Sequence, residues 1–136
     1  MPAIVIDSSV ALQWVLPEPG AERAYRYVRA EGAISVDILI VETANVLAKK
    51  VRASDISGAE AIHALAMVRD AITVLLPSEP LVPRALELSI ALNHPVYDCV
   101  FLACAEQAAG QLVTRDVPLT RRAGERGFGH LLVALP

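Results

Sequence analysis

The sequence predicts an α/β fold in which a mainly parallel central sheet is flanked by helices. Short β-branched or aliphatic segments alternate with longer stretches of helical periodicity. Two of these segments are followed directly by an aspartate and then by a helix, and sheets of this type bind ligands beyond the carboxyl ends of their strands. A length of 136 residues with 54% hydrophobic side chains suits one core, so we expect a single domain over residues 1–136.

The first half of the chain is predicted to start with a strand that ends at Asp7. Ser8 and Ser9 then lie at the start of a helix, where they can act as caps. A helix over residues 21–30, a short strand at 34–36 and a helix over 38–51 that Asp37 could cap follow in order. The apolar positions that indicate the first helix are Val10, Leu12, Trp14 and Val15.

The second half is predicted to continue the alternation of helices and strands. A helix that starts near Ser54 to Ser57 precedes a buried strand at 71–76, and residues 77–83 form a turn into a helix over 84–92. Pro95 stops that helix, because a residue before proline disfavours the helical region. A helix over 98–109 ends at Gly110, and strands at 111–114 and 131–135 complete the chain.

Charge and composition limit the classes of partner. A net charge of −3 argues against a general polyanion binder, and only two Phe, three Tyr and one Trp are available for stacking on bases. The sequence shows neither a signal peptide nor a spanning apolar run, so we expect a cytoplasmic protein without a membrane partner. Cys99 and Cys104 are five residues apart in a helical pattern, which predicts buried free thiols in a reducing compartment.

Four acids stand out because the predicted sheet brings them towards one edge. Asp7 and Asp116 follow strands, Asp98 begins the most apolar helix, and Glu42 interrupts an apolar helix one turn before Asn45. Taken singly, each aspartate could be a helix cap, and Glu42 could lie on an exposed strip of an amphipathic helix. Their convergence is therefore the stronger argument for a site.

Converging carboxylates repel one another, and a cation between them removes the conflict. His63, His94 and His130 have no cysteine or histidine at ligand spacing, which disfavours zinc and predicts that they are surface or turn residues. An all-oxygen site suits Mg²⁺ or Mn²⁺. Mg²⁺ in such a site keeps waters, one of which can attack a phosphodiester. Metal-dependent hydrolysis of nucleic acid is the expected chemistry.

The segments IVIDSSV, VETANVL, HPVYDCVFLACA and LVTRD resemble the PIN-domain family, in particular the VapC-type toxins of toxin-antitoxin pairs. The resemblance covers essentially the whole chain and implies a Rossmann-like PIN fold with metal-dependent endoribonuclease activity. It implies that Asp7, Glu42, Asp98 and Asp116 bind the metal. Ser9 and Thr114 resemble the hydroxyl residues of the site, and Asn45 resembles the polar residue that supports the glutamate. A proline expected before Glu42 in many relatives is absent.

The resemblance also implies partners: an RNA substrate, a second copy in a homodimer and a VapB-type antitoxin. A mean hydropathy of +0.47 is high for a chain of this size, so some helix faces are expected to be covered, with the helices at 21–30 and 38–51 as candidates for the antitoxin groove. The rival reading is a non-catalytic PIN-like module. A receiver domain would need a second acid near Asp7, and a haloacid-dehalogenase-type phosphotransferase an aspartate at Ser9.

Local cations are expected to hold the RNA, because the protein as a whole is acidic. One group lies late in the chain and the other in the helix that carries Glu42, although a solvated helix face would show the same charge runs. The two groups are Arg115, Arg121, Arg122 and Arg126, and Lys49, Lys50 and Arg52.

Overall fold

A computed structural model describes residues 3–16, 19–23, 25–26 and 32–135. Within these residues five short strands form one sheet in the order β3-β2-β1-β4-β5, and every neighbouring pair is parallel. The α/β fold predicted from the sequence is therefore confirmed. The strands are β1 (Ile4–Ile6), β2 (Ile34–Val36), β3 (Val74–Leu76), β4 (Gln111–Thr114) and β5 (Leu132–Ala134).

Helices connect the strands and cover the sheet. Residues 21–23 and 25–26 are also helical, as expected, whereas 24 and 27–30 of that predicted helix lie outside the described residues. Single 3₁₀ turns precede α4 and β5. The remaining helices are α1 (Ser8–Val15), α2 (Ile38–Arg52), α3 (Gly58–Ala71), α4 (Val82–Leu92), α5 (Val96–Gln107) and α6 (Val117–Glu125).

Three details differ from the sequence-based expectation. Helix α3 continues through Ala71, and β3 is an edge strand in which Val74 and Leu75 are 44% and 37% exposed, so the expected buried strand at 71–76 is wrong. Asp37 has helical backbone angles and does not cap α2, and its Oδ1 accepts from the Ser78 backbone N–H at 3.2 Å. Helix α5 starts at Val96, directly after Pro95, rather than at Asp98.

Strand β1 occupies the centre of the sheet between β2 and β4. Val5 is aligned with Ile34 on one side and with Leu112 on the other. The chain runs from β1 outwards to β2 and β3 and then returns to the opposite side, which makes the boundary between β1 and β4 a topological switch point. Ligand crevices of doubly wound sheets open at this kind of boundary, outside the carboxyl ends of the strands.

Helix α5 supplies the largest share of the core, since all its residues from Cys99 to Ala105 are buried. The prediction that Cys99 and Cys104 are buried free cysteines is confirmed. Burial raises the pKa of each thiol to about 11, so neither is a reactive thiolate at neutral pH. The position of α5 beneath the sheet fixes Asp98, which lies in its first turn.

Gly110 lies at a close approach between two backbones, where α5 turns into β4. A Cβ atom at this position would overlap the carbonyl oxygen of Ala3, which accepts from the Gln111 backbone N–H at 3.0 Å. The absence of a side chain at Gly110 therefore allows β4 to start beside β1.

Among the helices of the described ranges, none is singly long and apolar enough to cross a membrane. The bent pair of Glu79–Leu92 and Val96–Gln107 passes that test only when the two segments are taken together, by length and composition.

Candidate metal centre

Asp7 lies between β1 and α1, where it is both a helix cap and part of a buried polar cluster. Its Oδ1 accepts from the Val10 backbone N–H at 3.3 Å and from Ser9 Oγ at 2.5 Å, and its Oδ2 accepts from Thr114 Oγ1 at 2.5 Å. Burial raises the pKa of Asp7, and these donors act in the opposite direction. The cap and the site are therefore the same carboxylate.

The two predicted hydroxyls hold the ends of β1 and β4 together. Thr114 Oγ1 donates to Asp7 and accepts from the Asp116 backbone N–H at 3.0 Å. Ser9 Oγ donates to the same carboxylate and accepts from the Arg115 backbone N–H at 3.1 Å. Each hydroxyl is both donor and acceptor, so it fixes the carboxylate of Asp7 relative to the segment that carries Asp116.

Glu42 is half-buried on α2 and accepts a 3.2 Å hydrogen bond from Ser8 Oγ. Burial raises its pKa to about 7, the bond from Ser8 opposes this, and the negative charges of Asp98 and Asp7 add to the rise. Among the described residues, Ser8 is the hydrogen-bond partner of Glu42, whereas the expected partner Asn45 is exposed. The sequence predicts only a cap role for Ser8, since adjacent serines after a strand suggest nothing more specific.

Asp98 and Asp116 meet at a histidine. His94 Nε2 lies 3.0 Å from Asp98 Oδ2 and 3.2 Å from Asp116 Oδ2. Asp116 also caps α6 by accepting from the Leu119 backbone N–H through its other oxygen. Burial and the charge of Asp116 raise the pKa of Asp98, and His94 lowers it.

His94 lies in the turn after α4, as expected, but it is only 7% exposed, whereas His63 and His130 are exposed. The turn that ends α4 directs this imidazole inwards because Asn93 adopts a left-handed conformation at the helix end. The one signal in the sequence was the four-residue spacing from His94 to Asp98. Pro95 between them concealed it, since it suggested a break rather than a shared site.

Arg122, one of the candidate RNA-binding cations, is also part of this cluster. Its Nη1 donates to the Asn93 carbonyl at 2.7 Å and lies 3.0 Å from His94 Nδ1. Arg115, Arg121 and Arg126 are exposed and keep their places as candidate phosphate-binding residues.

The four acids interact electrostatically across the switch point. The charge of Asp98 raises the pKa of both Asp7 and Glu42, and the charge of Asp116 raises that of Asp98. Neighbouring carboxylates repel one another when all are ionised, and a bound divalent cation offsets this repulsion. Carboxylate oxygens are also the ligands that hard cations prefer. Among the described residues, the group whose ligand atoms lie within 4.8 Å of one another comprises His94, Asp98 and Asp116, and Asp7 and Glu42 lie outside it. The residues present thus fit a divalent metal.

The raised pKa of Glu42 predicts a pH-dependent stability. With a folded-state pKa of about 7 against an ordinary value of 4.5, the folded protein keeps a proton that the unfolded chain releases, so stability falls as pH rises through this window. A shift of this size corresponds to roughly 3 kcal/mol, which partial exposure reduces to about 1–2 kcal/mol. In Glu42→Gln this pH-dependent decrease in the free energy of unfolding should be absent, as measured by urea unfolding of metal-free protein between about pH 4.5 and 8. Equal pH dependence in both proteins would contradict it.

Comparisons with known proteins agree with this architecture. Residues 4–125 match the family model described as PIN domain. The crystal structure of PAE2754 from Pyrobaculum aerophilum is similar with a TM-score of 0.72 and 22% identity, over 89% of this chain and 79% of that one. FitAcB from Neisseria gonorrhoeae gives 0.67 and 18%, over 89% and 93%. No curated protein matches significantly. The matched residues include all four acids, and the two structural likenesses concern the fold.

Proposed function

This chain belongs to the PIN domain family, and from that premise we propose that it is a divalent-metal-dependent endoribonuclease that hydrolyses RNA phosphodiester bonds. The observation that carries the proposal is the meeting of acids from separate elements. Thr114 joins the Asp7 carboxylate to the Asp116 backbone N–H, and ligand atoms of Asp98 and Asp116 lie within 4.8 Å of each other. Stability alone gives no reason to collect such charges at one place. Binding a cation that acts on a phosphodiester does give a reason to collect these charges.

Asp7, Glu42, Asp98 and Asp116 would hold Mg²⁺ or Mn²⁺. When bound, such a cation neutralises charge on the phosphodiester and makes an attacking water more acidic. The carboxylate of Asp7 is fixed by Ser9 and Thr114. Glu42 accepts a hydrogen bond from Ser8 at the edge of the same site.

The proposal is tested by incubating the protein with labelled RNA under defined metal conditions. Cleavage should need added Mg²⁺ or Mn²⁺, stop with a chelator and return when the metal is restored. The upstream fragment should end without a 2′,3′-cyclic phosphate, because water rather than the neighbouring 2′-hydroxyl attacks phosphorus. Cleavage that persists in chelator would contradict the proposal. Binding of RNA without cleavage at any metal concentration would favour a non-catalytic PIN-like RNA- or protein-binding module.

The same proposal extends to a role as the toxin of a toxin-antitoxin pair in the cytoplasm, as a homodimer silenced by a VapB-type antitoxin. This extension is supported by apolar side chains that are exposed on the surface of the single chain. Val82, Leu86 and Ile90 form a stripe on α4 at four-residue spacing, exposed by 42%, 51% and 74%, and Val41 on α2 is 70% exposed. An arginine of the antitoxin could pair with the carboxylates and displace the metal.

Light scattering of the purified protein should give the mass of a dimer, and co-expression with the product of the neighbouring gene should give a larger complex. Replacing Leu86 and Ile90 by Glu should shift the dimer towards monomer if α4 carries the interface, because buried like charges oppose association. Replacing the exposed Ile62 of α3 in the same way provides the control. A strict monomer with no affinity for the neighbouring product would defeat this part of the proposal.

A further inference from the structure

The two ring nitrogens of His94 face partners of opposite kinds. Nε2 faces the carboxylates of Asp98 and Asp116 at 3.0 and 3.2 Å. Nδ1 lies 3.0 Å from Nη1 of Arg122. A guanidinium group can only donate hydrogen bonds, so Nδ1 must be the acceptor of this contact. The ring proton therefore sits on Nε2, where it donates to the carboxylates.

Arg122 is held firmly enough to impose this tautomer. The same Nη1 atom donates to the backbone carbonyl of Asn93 at 2.7 Å. Asn93 ends α4 in a left-handed conformation and directly precedes His94. Asp116 and Arg122 both belong to α6, one as its cap and the other near its last turn. The two residues thus contact the imidazole from the same helix, one at each ring nitrogen.

This arrangement is the reverse of the one that a metal-ligating histidine requires. A ligating nitrogen turns its lone pair to the metal, and the other ring nitrogen donates its N–H to a carbonyl or carboxylate. In this protein the nitrogen that faces the acids carries the proton, and the other nitrogen accepts from Arg122. Proximity of His94 to Asp98 and Asp116 therefore does not make the imidazole a ligand.

We infer that His94, with its tautomer fixed by Arg122, is a positioning residue that holds the Asp98 and Asp116 carboxylates for a metal bound by oxygen atoms alone. The inference rests on the metal binding in the proposed function. One N–H shared between two carboxylates sets their separation and orientation, and it partly offsets their repulsion before the metal arrives. An all-oxygen ligand set favours Mg²⁺ or Mn²⁺ and removes the nitrogen ligand that would favour zinc.

The tautomer is tested on metal-free protein by long-range proton–nitrogen NMR of the histidine side chains. Comparison with His94→Gln assigns the signals of His94. The expected pattern is that of a neutral ring protonated at Nε2. A ring protonated at Nδ1 would overturn the inference, because Arg122 could not then donate to it.

The role of the imidazole at the metal is tested by pulsed EPR of the protein loaded with Mn²⁺, which detects nitrogen bound directly to the ion. Wild type should show no such nitrogen. Arg122→Ala frees Nδ1 to carry the proton and turns the Nε2 lone pair to the metal, so a directly bound nitrogen should appear. A bound nitrogen in wild type would overturn the inference, and an unchanged spectrum in Arg122→Ala would overturn the control of the tautomer by Arg122.

Mn²⁺ affinity, measured by EPR titration without RNA, separates positioning from folding. His94→Ala should weaken binding by about 10- to 100-fold, and His94→Gln, which retains an N–H donor, should recover most of that loss. The exposed His63 supplies the control through His63→Ala, which should bind Mn²⁺ like wild type. Equal affinities in folded His94→Ala and wild type would overturn the inference. If His94→Ala does not fold, the inference is still tested by the NMR and EPR spectra of wild type, with His94→Gln as the comparison.

These measurements distinguish the inference from the proposed function. Wild type that binds Mn²⁺ through oxygen alone but cleaves no RNA would count against the endoribonuclease and leave the role of His94 intact. Wild type that cleaves RNA but binds Mn²⁺ through a nitrogen would support the endoribonuclease and overturn the role inferred for His94.

Discussion

Asp98→Asn is expected to lower metal-dependent RNA cleavage by at least about a hundredfold while the protein stays folded. The charge of Asp98 acts on both Asp7 and Glu42, and the charge of Asp116 acts on it in turn. On the proposed function, removing this charge should weaken the binding of the cation by the remaining carboxylates. In the metal-free protein the same change relieves repulsion, so the melting temperature should stay constant or rise. Cleavage rates at saturating Mn²⁺ and circular dichroism melts in chelator measure the two effects.

Asp7→Asn and Glu42→Gln should lower cleavage in the same way, since each removes a carboxylate of the same cluster. Asp70 lies exposed on α3, so Asp70→Asn is the matched control and should keep full activity. Full activity in any folded variant of Asp7, Glu42 or Asp98 would remove that residue from the site.

Gly110→Ala is expected to destabilise the protein by about 3 kcal/mol or more. The new Cβ would overlap the backbone carbonyl oxygen of Ala3, and a backbone atom cannot move aside as the end of a side chain can. Relief of the overlap would separate β1 from β4 at the Ile4 and Gln111 pair. A loss of this size corresponds to a fall of roughly 10 °C in melting temperature for a chain of this length.

Gly124→Ala is the control for this change, because it adds the same methyl group in helix α6 with no other atom within 4 Å. Gly124 lies in the last turn of α6 and does not have a positive φ, and alanine is favoured over glycine in helices, so this variant should match or exceed wild-type stability. Equal melting temperatures for both variants would show that the approach of Gly110 to Ala3 does not constrain the sheet.

The strand-helix alternation could be predicted because it depends on local periodicity. Helix α2 begins at Ile38 and β4 spans Gln111–Thr114, as their apolar patterns indicated. The edge position of β3 could not be predicted from local periodicity, because an apolar run looks the same in a central strand and in an edge strand. Likewise the extension of α3 through Ala71 depends on how the helix packs, which periodicity does not report.

Some residues of the candidate site could likewise be predicted from the sequence and others could not. Asp7 and Asp116 could be placed together because parallel strands end at one edge of a sheet, and the hydroxyls of Ser9 and Thr114 are near them in sequence. His94 was missed because its interaction with Asp116 joins a turn after α4 to the cap of α6, 22 positions later. Tertiary packing decides such contacts, and a single sequence contains no record of it.

A ribosome that makes this chain releases Asp7 well before Asp116. Asp7 has a donor in Thr114, 107 positions later, so its carboxylate lacks this partner while the residues between them are being made. Strand β1 also cannot sit in the middle of the sheet until β4 has emerged to pair with it. A nascent chain that has not yet reached β4 therefore cannot bring Asp116 to Asp7, and on the proposed function such a partial product would cleave no RNA.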